Sequence, residues 1–91
     1  MALNFDLNDL MAFRAVAELA HFGKAAASVN LSQPAFSRRI DKLEQALGVR
    51  LLERSTRQVA LTAVGREFER QVRPLLDGLD NALLGVRGVA A

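Results

Sequence analysis

The segment LSQPAFSRRIDKLEQALG, residues 31–48, sets a proline and the polar side chains Ser32, Gln33, Ser37 and Arg38 into the opening turns of a helical pattern. Ser32 is placed to cap such a helix, because its hydroxyl can accept from one of the unpaired N–H groups of the first turn. Pro34 then falls where a missing N–H costs nothing, so it starts the helix rather than breaking it. With Phe36 as origin and about 100° per residue, Ile40, Leu43 and Leu47 lie at roughly 40°, 340° and 20°, a single narrow apolar stripe. Pro34, Arg38, Asp41, Lys42 and Gln45 occupy the opposite face, and Gly48 is a C-terminal stop. Arg39 lies nearer the stripe and is expected to pack its stem or pair with an acid.

Upstream, Asp6 and Asp9 suit a helix start, and Leu7, Leu10, Met11, Phe13, Val16, Ala17 and Ala20 recur at helical spacing. The pattern predicts a first helix over 7–20, broken by His21-Phe22-Gly23. A short alanine-rich second helix over 24–29 follows, with Asn30 and Leu31 in the turn. Downstream of Gly48 the period changes to two. Leu52 and Arg54, then Val59 and Leu61, alternate around the polar tip Ser55-Thr56-Arg57-Gln58 and predict a hairpin. Thr62 caps a fourth helix in which Val64, Phe68, Val72, Leu76, Leu79, Leu83 and Val86 form a coiled-coil-like seam. Pro74 is expected to kink or loosen it, and Gly78, Gly85 and Gly88 to weaken its far end.

The totals bound the class. Ninety-one residues, 51% apolar and 24% charged, make one small globular domain with an appended helix. The chain contains no cysteine, which excludes disulfides and thiolate metal sites. Its apolar runs are too short for a membrane span, and its N-terminus lacks a signal-peptide layout, so the expected setting is the cytoplasm, without a membrane partner. Net charge is only +2, but residues 24–57 hold seven of the twelve basic side chains against Asp41, Glu44 and Glu53. Such a patch is what a polyanion would feel, although a merely solvated surface carries the same signature. His21 is the sole histidine and has no metal set or triad around it. Glu67 and Glu69 point to different faces, so no acid–base pair forms and no enzyme is expected.

Three helices followed by a hairpin is the order of a mainly α, winged helix-turn-helix fold. In such a motif the N-terminal turns of the second helix meet base edges in the major groove. Gln33 has the geometry for adenine and Arg38 for guanine. Pro34 and Ala35 permit close approach or contact with a thymine methyl. Ser32, Ser37 and Lys42 suit phosphates. Each also reads singly as an ordinary surface residue. Their position in and around the opening turns of this helix, with Arg38 and Lys42 on its polar face, is what favours DNA.

The runs FGKAAASVNLSQPAFSRRIDKLEQALGVRLLER (22–54) and LTAVGREF (61–68) resemble the DNA-binding domain of bacterial LysR-type transcriptional regulators. The combination Ser-Gln-Pro-Ala-x-Ser-Arg, Leu-Glu-x-x-Leu-Gly-x-x-Leu-x-x-Arg and Leu-Thr-x-x-Gly is specific, though each fragment alone is weak. The resemblance implies a winged helix-turn-helix over 4–61, with the helix-turn-helix proper at 22–41 and the wing at 51–61. Residues 62–91 would be a linker and dimerisation helix. It implies sequence-specific binding of promoter or operator duplex DNA, with Arg54, Thr56 and Arg57 of the wing at the minor groove or its phosphates. A homodimer would form through Phe68, Val72, Leu76, Leu79 and Leu83, with a tetramer open to the full-length protein. Members commonly have Ser or Thr where this chain has His21 and Gly23, and Leu where it has Phe36. They are also about three times longer. The chain is therefore expected to be an excised fragment or a truncated relative, acting at the bacterial nucleoid. It needs no cofactor of its own, since a small-molecule inducer would bind the C-terminal domain it lacks. The competing reading is a coiled-coil protein-interaction module without DNA specificity.

Overall fold

The computed structural model describes residues 3–54 and 58–90. Four helices and one hairpin follow in the order α1 (Leu7–Leu19), α2 (Phe22–Ser28), α3 (Gln33–Leu47), β1 (Leu52–Arg54), β2 (Val59–Leu61) and α4 (Ala63–Ala90). The strands pair antiparallel with Leu52 opposite Leu61, Glu53 opposite Ala60 and Arg54 opposite Val59. This is the mainly α, winged helix-turn-helix arrangement that the residue pattern predicts.

Each helix end has a chemical cause. Asp6 and Asp9 form a reciprocal capping box: the Asp9 N–H donates to the Asp6 carboxylate at 3.1 Å, and the Asp6 N–H donates to the Asp9 carboxylate at 3.0 Å. Ala20, at φ 51°, ends α1 in the left-handed region. The second helix begins two residues before the expected Lys24. His21 adopts extended backbone and its Nδ1 accepts the Lys24 N–H at 3.0 Å, so the imidazole itself is the cap and Phe22 and Gly23 are helical. Ser32 caps α3 by accepting the Ala35 N–H at 3.2 Å, with Pro34 in the first turn and Gly48 at φ 73° as the stop.

The core joins Phe13 and Val16 of α1, Ala25 and Ala26 of α2, the α3 stripe Phe36, Ile40 and Leu43, and Leu51 and Leu52 at the hairpin. Phe22 meets Phe36 edge-to-face at 5.0 Å, and Phe13 meets Phe68 at 5.4 Å. The alanines of α2 let α1 and α3 approach closely.

Behind α3, the buried Glu44 carboxylate accepts the Leu51 N–H at 2.6 Å and the Leu52 N–H at 3.2 Å. It fixes the chain at the point where helix gives way to hairpin. Thr62 ties the other end of the hairpin: its N–H donates to the Leu51 carbonyl at 2.9 Å and its hydroxyl to the Arg50 carbonyl at 2.7 Å. The same hydroxyl accepts the Gly65 N–H at 2.9 Å, capping α4. Gly65 lies against the Leu51 backbone, where a Cβ would overlap the Leu51 carbonyl oxygen.

The fourth helix divides the predicted seam. Val72 and Leu76 are buried in the domain core and Phe68 packs against it, so these three of the five predicted dimer residues are committed within the chain. They face α1, whose Arg14 reaches Asp80 at 2.8 Å and Asp77 at 3.6 Å. Leu79 is half-buried, and Leu83, Leu84 and Val86 are exposed. Pro74 removes one rung without ending the helix, since Val72 and Leu76 anchor the turns on either side. Gly78, Gly85 and Gly88 likewise lie within a helix that continues to Ala90. Among the described residues, no helix is long and apolar enough to cross a membrane.

Candidate nucleic-acid interface

In the α2–turn–α3 unit Ser32, Gln33, Pro34 and Arg38 are exposed, while the Phe36, Ile40 and Leu43 stripe holds α3 down. Ala35 and Ser37 are half-buried at its margin. Ser32 is engaged as the cap, so the donors left at this helix end are fewer than the four of an uncapped helix.

The basic residues around α3 separate into two groups. Arg39 and Lys42 turn toward the N-terminus of α1. Arg39 lies 3.3 Å from Asp9, and Lys42 lies 3.2 Å from Asp9 and 3.3 Å from Asp6. The Asp9 side chain is fully buried, so this pairing also answers a charge that would otherwise be costly to bury. Arg39 thus fulfils its expected pairing, whereas Lys42, read as a phosphate partner, has its ammonium engaged by two carboxylates. Arg54 is engaged too. It lies 2.9 Å from Asp41 and 3.5 Å from Glu44, donates to the Ser37 hydroxyl at 3.4 Å, and stands 5.5 Å over the Phe22 ring. Among the described residues, Arg38 is paired with no carboxylate. The predicted contacts Thr56 and Arg57 lie outside the described residues.

These pairings shift titrations. The hydrogen bond from the Asp9 N–H, aided by Lys42 and Arg39, holds the Asp6 carboxyl below its ordinary value near 3.8. The hydrogen bond to Asp9, aided by Asp6, raises Lys42 above its ordinary 10.5. A depressed carboxyl contributes stability that is present above its unfolded value and lost as pH falls through the folded one. A raised amine contributes stability lost only as pH climbs through its folded value. Thermal midpoints of Asp6→Asn are therefore expected to fall less steeply than wild type below about pH 4. Parallel acid limbs would remove Asp6 from the acid response.

The sequence reading missed Glu44 as the hairpin anchor and the capping box as a counter-charge for α3. Glu44 falls at about 80° on the wheel used above, beside the apolar stripe, and that position was the available signal. Asp9 gave none, because a capping acid is ordinarily exposed. Among the described residues no cluster suited to hold a metal ion occurs.

The family model for bacterial regulatory helix-turn-helix proteins of the lysR family matches residues 7–66. An SDS degradation transcriptional activation protein from a Pseudomonas species is 58% identical over 86% of this chain and 25% of its own length. The Escherichia coli HTH-type transcriptional regulator YnfL, described as uncharacterized, is 49% identical over 88% of this chain and 27% of its own. The chain thus spans about a quarter of these relatives. Among solved structures, the BenM DNA-binding domain in complex with benA site 1 DNA superposes with a TM-score of 0.84 at 37% identity, covering 96% of this chain and 98% of that one. By its sequence over the first three helices and the hairpin, and by its fold over nearly its whole length, the chain belongs to the lysR family of bacterial regulatory helix-turn-helix proteins.

Proposed function

We propose that this chain is the sequence-reading domain of a LysR-family transcriptional regulator, laying the first turns of α3 in the major groove of duplex DNA. The carrying observation is the sorting of charge around α3: Arg38 stands exposed, as does Gln33 in the first turn, while Arg39 and Lys42 are turned inward. Arg38 reads a guanine edge, Gln33 an adenine edge, and Ser32 and Pro34 bring the helix end against the backbone and base edges. The structure of the related BenM domain with DNA supports this reading. The role is binding rather than catalysis, carried out in the cytoplasm at the nucleoid. An inducer, where one acts, binds outside these residues.

The test is Arg38→Ala assayed on a duplex selected from a randomised library and on unselected DNA. The expected loss is about 1–3 kcal/mol on the selected site, confined to one base-pair position. Equal losses on both duplexes would make Arg38 a phosphate contact instead. Failure of wild type to bind any duplex at low salt would favour an interaction module built on α4.

The domain is also proposed to work as a homodimer, through the exposed part of α4 rather than the whole predicted seam. Leu79 and Leu83, with Leu84 and Val86 nearby, lie beyond the last core residue, Leu76. Twofold pairing there would match two half-sites of an interrupted palindrome. Leu83→Glu is expected to convert the dimer to a monomer in sedimentation equilibrium while leaving the thermal midpoint nearly unchanged. An unaltered mass would move the interface elsewhere.

A further inference from the structure

Gly23 sits in the first turn of α2, and its backbone gives no reason for a glycine there. Gly48 is the one glycine of positive φ among the described residues, so Gly23 holds a conformation any L-residue adopts. Glycine inside a helix is a poor choice on propensity alone, because it restricts the most backbone freedom for no side-chain contact. The space beside it supplies a reason. A Cβ on Gly23 would stand 3.1 Å from Nε2 of Gln33, and 3.3 Å from Cε1 and 3.6 Å from Nδ1 of His21. The amide end of Gln33 therefore lies across the bare face of this turn, flanked by the imidazole that caps it.

Resting on the base-reading role given to Gln33 above, we propose that Gly23 is a positioning residue for DNA recognition. Its missing side chain fixes where the Gln33 amide rests, and through it which base edge that amide reaches. Two approaches are tighter than ordinary van der Waals contact, the Gln33 amide end at 3.1 Å and His21 Cε1 at 3.3 Å; both groups are side chains rather than backbone, and the nearer is the flexible end of Gln33. An added methyl is thus easily accommodated by the fold but displaces the reading group itself. A bidentate amide–base pair demands both donor and acceptor in register, so a shift of a few tenths of an ångström acts on discrimination before it acts on stability.

The test compares wild type, Gly23→Ala, Gln33→Ala and the double variant by selection from a randomised duplex library, with thermal midpoints measured alongside. Gly23→Ala is expected to fold with an unchanged or higher midpoint and to lose about fivefold of its preference at one base-pair position, within the range one base-pair contact supports. Gln33→Ala should lose preference at that same position, and adding Gly23→Ala to it should change nothing more. If Gln33→Ala loses the preference while Gly23→Ala keeps it, the positioning role is overturned and the reading role of Gln33 stands. A Gly23→Ala effect that persists without Gln33, or that weakens all sequences equally with a lowered midpoint, would assign the glycine to the His21 cap and overturn the inference. Preference retained by Gln33→Ala overturns both roles, and failure of wild type to select any sequence overturns DNA reading itself.

Discussion

Glu44→Ala is expected to destabilise the domain by about 3–5 kcal/mol, because it deletes a buried carboxylate that accepts two backbone N–H groups. Leu51 and Leu52 are themselves fully buried, so water cannot replace the lost acceptor without opening the core. Arg54 loses one of its two carboxylate partners in the same step. In a domain this small such a loss is a large share of the total, and the thermal midpoint should fall by about 15–30 °C. Glu44→Gln keeps the shape and one acceptor oxygen and should recover part of the deficit. A penalty under about 1 kcal/mol for alanine, read from denaturant titration, would show that the hairpin is held by its apolar contacts alone.

Gly65→Ala comes next in size, with an expected cost of about 2–4 kcal/mol from overpacking. Its Cβ would overlap the Leu51 carbonyl oxygen and lie 3.0 Å from the carbonyl carbon, and both belong to backbone that Glu44 and Thr62 already hold. Neither side can yield cheaply. The start of α4 must lift away from the hairpin, loosening Phe68 against Phe13. Gly78→Ala is the control, since an added Cβ there meets nothing within 4 Å. It should be neutral or stabilising by up to about 1 kcal/mol. Equal behaviour of the two variants would mean that the close approach at Gly65 is not maintained in solution.

The fold was legible where a local rule had no competitor. Ser32, Pro34 and Gly48 bracketed α3, and Phe36, Ile40 and Leu43 gave its buried face. The capping acids of α1 and the period change after Gly48 were equally plain. Readability failed where the deciding partner lay far along the chain. His21 looked like a helix breaker, yet its ring nitrogen is a cap acceptor, which moved the start of α2 to Phe22. The heptad-like rhythm of α4 was real, but periodicity cannot say whether a seam meets the same chain or another. Phe13 and Val16 are placed to take its first half. At the candidate site, position in the opening turns of α3 and residue type single out Gln33 and Arg38 as candidates, whereas the engagement of Lys42 by Asp6 and Asp9 spans more than thirty positions and left no local trace.

The inward pairing of Arg39, Lys42 and Arg54 also sets how the domain should respond to counterions. Each phosphate neutralised by a protein cation releases condensed ions and adds about −0.9 to the slope of log affinity against log salt. Four of the seven basic side chains between residues 24 and 57 arrive already matched by carboxylates, Arg50 joining the other three at 3.9 Å from Glu44, so they displace few ions from the duplex. The slope should be shallower than a tally of arginines and lysines suggests. Random genomic DNA attracts through charge alone, and a reading head with less unmatched charge loses less of its time to it.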